Sequence, residues 1–368
     1  MSGFARPFAA DVSTAVLTPV PVTEPVDAPT VGFEVTDDHA PFTDWRTDDG
    51  RPNGSTTDRR PTVTIALPVL NEADHLEACL RAVTEQTYAH VVEVLVVDGG
   101  SLDGTRQIAS RFPGVRVVDN PRRFQSAGLN VALHQARGEV LVRVDARAVV
   151  APDYVDRCVD ALNRSGAALV GGPIEPQGTT WVERAVGAAL TSTLGAGPAR
   201  FRNARASAAW TDIVYLGAAR VDVLRRVGGY DESFITNEDG ELLHRLGTDG
   251  GVWFDPAIRS TYRPRDSFFA LMRQYFLYGT GRAATVAKYP ASLRLRQLAA
   301  PLLVLGLLSP FRRKVALAYL SVVALAVGTE MRSDPAAGAG LALALPAMHL
   351  SWGAGFLVGW SRRFLMPD

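Results

Sequence analysis

Residues 138–147 read Gly138-Glu139-Val140-Leu141-Val142-Arg143-Val144-Asp145-Ala146-Arg147. A short apolar run of this kind reads as a buried strand. It delivers one carboxylate, Asp145, to the strand's end. A carboxylate there can hold a divalent cation against a diphosphate. That chemistry calls for Mg²⁺ or Mn²⁺, hard ions that prefer oxygen ligands and keep several waters. The plain alternative is an aspartate that caps the turn.

Three other segments bear on the choice. Val63-Thr64-Ile65-Ala66-Leu67 runs into Pro68, and Asn71-Glu72 then opens a helix through Leu76, Leu80 and Val83. Val94-Leu95-Val96-Val97 runs into Asp98 and the pair Gly99-Gly100, followed by a helix with Ile108 and Ala109. Asn237-Glu238-Asp239-Gly240-Glu241 is an acidic cluster opening a third helix. Strand-like runs at 63–69, 92–97, 115–118 and 139–144 alternate with helical patterns at 72–85, 103–111 and 125–136. That alternation predicts βαβ units and a parallel sheet covered on both faces. Ligands bind at the carboxyl ends of the strands in such sheets, so Asp98 and Asp145 should face one crevice. Residues 168–172, 212–217 and 251–254 read as strands that complete the sheet.

In order and spacing, these four segments resemble the family 2 inverting glycosyltransferases. The stretches 120–130, 171–173, 212–217 and 273–279 are similar to the succinoglycan-type glucosyltransferases of bacterial exopolysaccharide assembly. The resemblance covers roughly residues 60–368. It implies an α/β GT-A domain, Rossmann-like and of the nucleotide-diphospho-sugar transferase class, over 60–265. The implied reaction moves a hexose from a nucleotide-diphosphate sugar, with UDP-glucose the first candidate, to a lipid-linked saccharide acceptor. The setting would be cell-surface or extracellular polysaccharide synthesis, with other polysaccharide-assembly proteins as partners. The resemblance places Pro68, Asn71, Glu72, Asp98, Asn130, Asp145, Arg147, Arg273, Gln274 and Arg282 around the donor. Asp98 would contact its nucleoside, and Asp145 would carry Mg²⁺ or Mn²⁺. Asp239 would be the catalytic base, taking the acceptor proton as the hydroxyl attacks the anomeric carbon. Glu238 would orient it or raise its pKa, and Glu241 is the second candidate base. Two rival functions stay open. One is an inactive relative serving as scaffold or donor sensor; the other is a processive polysaccharide synthase, which would need more membrane helices.

Each of these residues also has a plainer reading. Asp98 can be a turn aspartate, and Glu72 or Glu238-Asp239 can be acids favoured by a helix dipole. Asp103 reads as a cap that shapes its loop. Phe268–Arg282 can stabilise a leaving diphosphate or lie on a membrane surface. One position departs from the family. Most relatives carry a second acid two residues after Asp145, and this chain has Arg147. Arginine cannot ligate a cation, but it can pair with the diphosphate. The six histidines, at 39, 75, 90, 134, 244 and 349, form no ligand pattern with Cys79 or Cys158.

Lys+Arg and Asp+Glu are 38 each, so nothing points to a nucleic-acid partner. Two cysteines in helical patterns fit a reducing compartment. No signal peptide is apparent. Residues 1–59, rich in Pro, Thr, Asp and Gly, read as a disordered tail. Residues 266–296 read as an amphipathic interfacial segment, and 297–368 as a membrane region with two or three hydrophobic helices at 298–308, 315–329 and 338–360. Arg294, Arg296, Arg312, Arg313, Lys314, Arg362 and Arg363 flank these runs, and the positive-inside rule puts them in the cytoplasm. The expected location is the bacterial inner membrane with the catalytic domain facing the cytoplasm. The run 315–329 would cross outward and 338–360 back, leaving the connector 330–335 outside.

Overall fold

The computed structural model describes residues 60–365, apart from Pro198, Thr248 and Asp249. The expected disordered tail, 1–59, lies outside the described residues. The first half alternates as its apolar pattern requires: β1 (Val63–Val69), α1 (Ala73–Thr84), β2 (Val91–Asp98), α2 (Thr105–Ala109), β3 (Val115–Asp119), α3 (Gln125–Gln135) and β4 (Val140–Arg143). Then come β5 (Ala148–Val150), α4 (Tyr154–Ser165), β6 (Leu169–Gly172), β7 (Ile174–Pro176), α5 (Trp181–Thr191) and α6 (Thr193–Ala196). β8 (Ala209–Thr211), β9 (Tyr215–Arg220), α7 (Val221–Arg226), α8 (Glu238–Leu246), β10 (Val252–Phe254) and β11 (Ser260–Tyr262) complete the sheets. Four helices close the described chain: α9 (Phe268–Lys288), α10 (Ala299–Leu308), α11 (Arg312–Glu330) and α12 (Pro335–Leu365).

The main sheet runs β3-β2-β1-β4-β9-β6-β10-β8, and β5-β11-β7 form a small second sheet. β3, β2, β1 and β4 are parallel, as expected. The rest is mixed, because β9 enters antiparallel between β4 and β6. The chain leaves β1 on one side for β2 and β3, and returns on the other for β4. This reversal is the switch point outside which α/β sheets bind ligands.

Side chains alternate across the sheet. Val63, Ile65 and Leu67 of β1 join Val140 and Val142 of β4 on one face, with α1 and α4. Ala66, Leu95, Val97 and Leu141 point the other way, into a core with α3, α7 and α8. Gly138 lets the chain enter β4 tightly, since a Cβ there would stand 2.4 Å from the Thr64 amide nitrogen.

The connector 330–335 meets the catalytic body: Asp334 Oδ2 lies 3.6 Å from Arg184 Nε on α5. Counting loop arginines could not anticipate this, because the acid's partner lies some 150 residues away in sequence. α12 packs its Leu341, Ala344, Leu345 and Met348 against Val186, Ala189 and Leu190 of α5 and Leu271 and Tyr275 of α9.

Candidate active site

The crevice at the carboxyl ends of β1, β2 and β4 has two parts. The first is built by the turns after β1 and β2, which are stitched together. Asp98 ends β2, and its Oδ1 accepts from Ser101 Oγ at 2.5 Å and Ser101 N at 3.1 Å. Asn71 adopts φ 54, a left-handed conformation that Asn tolerates. Its Oδ1 accepts from Leu102 N at 2.9 Å. Asp103 accepts from Thr105 of its own helix and from Ala73 N, so it caps α1 from the neighbouring turn. Its carboxyl is held below the usual range because these donors outweigh the cost of burial. Pro68 lies in register with Val97, one position before the end of β1.

The second part is built on charge. Arg143, at the end of β4, is buried among ionised groups. Its Nε lies 3.0 Å from Asp145 Oδ1, and its Nη1 3.5 Å from Glu238 Oε1. Gln125 Nε2 donates to the same Asp145 oxygen at 3.3 Å. Arg143 therefore joins the carboxylate after β4 to the acidic pair opening α8. Burial disfavours its charge, but Asp145 and Glu238 outweigh that and hold it firmly protonated. Glu238 is pushed up to about 7, first by burial and then by the Asp239 charge beside it. Asp239 is half-buried and accepts from Gly240 N at 2.7 Å. With Arg143, Gly217 and Tyr230 it lines a cleft of about 20 Å³, room for a single water. Left-handed backbone flanks this group, tolerated by Asn237 and strained at Leu216. Asn237 stands at φ 66 immediately before the acids, and Leu216 at φ 54 immediately before Gly217, which pairs with Arg143. Such strain persists only where surrounding structure fixes it.

Other candidates are already engaged. Arg147 Nε lies 3.2 Å from Glu72 Oε2, and burial keeps the Glu72 carboxyl raised despite this partner. Asn130 is buried; its amide donates to Tyr230 O and accepts from Tyr230 N, so it fixes the segment before α8 rather than opening onto the crevice. Glu241 is buried and cannot serve as a free base. It accepts from Arg245 at 2.6 Å, Lys288 at 2.9 Å and Tyr289 at 3.0 Å, which locks α8 to the end of α9. Burial pushes its carboxyl up, but the two cations outweigh it. On α9, Arg273 is exposed, and Gln274 donates to Tyr278 Oη at 2.8 Å while accepting from Arg265. Arg282 donates to Ser292 O and Gln297 Oε1.

The sequence reading missed Arg143, Gln125 and Arg265. Arg143 sits inside the decisive motif and reads as part of the strand; an ionised residue in a buried run was the available signal. Arg265 contributes to the field at Glu72. Among the described residues, no group of three or more His, Cys, Asp and Glu side chains gathers to hold a metal ion. The site nonetheless fits a cation bound jointly with a diphosphate. The Asp145 side chain is 32% exposed, and one or two carboxylates with substrate phosphates suffice for such an ion.

The sequence profile of glycosyl transferase family 2 matches residues 64–214. The chain is 35% identical over 311 residues to the succinoglycan biosynthesis protein ExoA of Rhizobium meliloti, an alignment spanning 79% of this chain and 93% of that protein. It is 36% identical over 137 residues to glycosyltransferase AglE of Haloferax volcanii, across 35% of this chain and 45% of that one. Among solved structures, mannosyltransferase PcManGT from Pyrobaculum calidifontis, in complex with GDP-Man and Mn²⁺, superposes with a TM-score of 0.54 at 23% identity. The superposition covers 84% of this chain and 89% of that one, and shows the shared GT-A fold.

Proposed function

The chain belongs to glycosyltransferase family 2, and we propose that it is an inverting hexosyltransferase of exopolysaccharide synthesis that uses a nucleotide-diphosphate sugar and a lipid-linked acceptor. The observation that carries this reading is Arg143, which ties the donor-side carboxylate Asp145 to the acidic pair Glu238-Asp239. That guanidinium reaches both Asp145 and Glu238, the residue beside the proposed base Asp239. UDP-glucose is the first donor to test.

In this scheme Asp98 and the stitched turns hold the nucleoside. Asp145 would hold a Mg²⁺ or Mn²⁺ ion, which would neutralise diphosphate charge. Arg147 and Arg265 add positive charge beside Glu72. Asp239 takes the proton from the acceptor hydroxyl. The freed oxygen forms its bond to the anomeric carbon as the bond to the diphosphate oxygen breaks, and the nucleoside diphosphate leaves from the opposite face. Glu238, raised to about 7 by burial and by the Asp239 charge, limits the negative charge that builds up beside Asp239.

The proposed location is the bacterial cytoplasmic membrane, with the catalytic domain inside. One helix, Pro335–Arg362, is long and apolar enough to cross a membrane by length and composition. The test is transfer of radiolabelled hexose from a panel of nucleotide-sugars to lipid extracts by the full chain in native membranes. Glycolipid formed by the wild type and lost in Asp239→Asn is the expected result. Donor hydrolysis and glycolipid formation both absent across the panel would sink the reading and leave the scaffold alternative.

A further inference from the structure

We infer that α10, α11 and α12 enter and leave the membrane through one leaflet, so that the turn between α11 and α12 stays on the catalytic side. This rests on the membrane location proposed above and replaces a two-crossing arrangement.

Length is the first argument. The apolar part of α11, residues 315–329, extends roughly 22 Å at ~1.5 Å per residue, short of a hydrocarbon core of ~30 Å. It follows three exposed cations, Arg312, Arg313 and Lys314. With those held at the headgroups, α11 cannot carry the next turn across. α10, with 10 residues, is shorter still.

Position is the second. The turn carries Glu330, Arg332 and Asp334. Asp334 pairs with Arg184 of α5 at 3.6 Å. Glu330 and Asp334 also wall a cavity of about 690 Å³ that Arg147 and Arg263 line from the other side. Arg147 is two residues from Asp145. The turn therefore shares a cavity with Arg147 of the catalytic body, rather than standing across a bilayer from it.

The third is the course of α12. Both its ends rest on the catalytic body. Near the start, a Cβ at Gly340 would stand 2.3 Å from Ala185 Cβ of α5. Near the end, a Cβ at Gly355 would stand 2.1 Å from Phe276 O, and one at Gly359 3.0 Å from Thr280 Cα, both on α9. α5 and α9 bear Glu183, Arg184, Arg273, Arg282 and Lys288. Were α12 to cross, these charges would have to follow it to bilayer depth, where each is costly.

The outward faces fit a single anionic leaflet. Leu302 and Leu308 of α10, Phe311 of the turn, and Leu317, Leu320 and Leu325 of α11 are all more than half exposed and leave an apolar surface there. Arg294, Arg296 and the 312–314 cations border it, where they would meet lipid phosphates.

The test uses single cysteines in the full chain, because Cys79 and Cys158 are buried and give little background. Ala89→Cys marks the catalytic face, and Ser333→Cys reports the turn; both positions are exposed. Membrane vesicles of either orientation are treated with a membrane-impermeant maleimide. S333C should be labelled in the orientation that labels A89C, with labelling lost in the other. Labelling of S333C only from the opposite face overturns the inference. Reaction only after detergent also overturns it, since a turn beside the cavity must be reachable from the catalytic side. If A89C protein leaves the membranes at high salt, the membrane location falls, and this inference with it.

Discussion

The two halves of the crevice hold their carboxylates by opposite means. Around Asp98, Asp103 and Asn71, acids and amides meet mostly neutral donors from turns within about 30 residues, backbone N–H and hydroxyl groups, with Arg106 Nη1 at 3.4 Å from Asp98 Oδ2 as a cation beside them. Around Asp145, Glu238 and Glu72, the partners are guanidinium groups, two of the three pairs spanning 75 residues or more. Neutral turns make a stiff pocket tolerant of single losses. A buried charge relay makes one in which removing one member strands the others, because an uncompensated buried ion is expensive. The half proposed for the nucleoside is thus built for shape, and the half proposed for transfer for electrostatic coupling.

That contrast sets the sizes of the expected effects. Asp239→Asn should lower transfer by about 10²–10⁴-fold, as for loss of a general base. Donor affinity by calorimetry should stay close to wild type, since the base acts on the acceptor. A variant keeping half its activity would remove Asp239 from the role; Glu241 could not inherit it without breaking its pairs with Arg245 and Lys288.

Arg143→Met should cost about 3–5 kcal/mol in urea unfolding, the range for breaking a buried pair. Ser101→Ala, which removes a hydroxyl donor to Asp98, should cost about 1 kcal/mol. Equal costs in the two variants would erase the distinction between the halves.

Glu238 sharpens it through pH. Its carboxyl is raised from 4.5 to about 7, so between those values the folded protein keeps a proton that the unfolded chain has released. The stability it contributes is complete below the ordinary carboxylate range and is lost as pH rises through about 7. From pH 5 to pH 8 the wild type should therefore lose more thermal stability than Glu238→Gln. Parallel melting curves would show that Arg143 already compensates the charge.

The smallest effect is expected at Arg147. Arg147→Ala should weaken nucleotide-sugar binding by about 1 kcal/mol, the scale of a partly exposed pair, and make activity depend more steeply on Mn²⁺. Arg147→Asp should bind Mn²⁺ better than Arg147→Ala, because it offers an oxygen ligand. Identical Mn²⁺ titrations for wild type and both variants would leave Arg147 only its pairing with Glu72.

The strands and helices of the first half fall within a residue or two of their expected ranges, and Asp98 and Asp145 stand at strand ends as their motifs imply. Part of the turn chemistry was equally legible: Asp103 reads as a cap and accepts from Thr105 and from Ala73 N of the adjoining turn, and short-range hydrogen bonding leaves its mark in local residue choice. The tertiary structure alone decided the rest. It inserted β9 antiparallel beside β4, which sets Gly217 opposite Arg143. It made Arg143 a link between acids 93 positions apart in sequence, gave Arg147 to Glu72, and used Glu241 as a clamp on α9. It also folded the α11–α12 turn back against Arg184. The physical reason is common to the last four, which are charge pairs. A charge pair needs only that two side chains come within a few ångströms, and that depends on strand order and helix packing, which no local periodicity records.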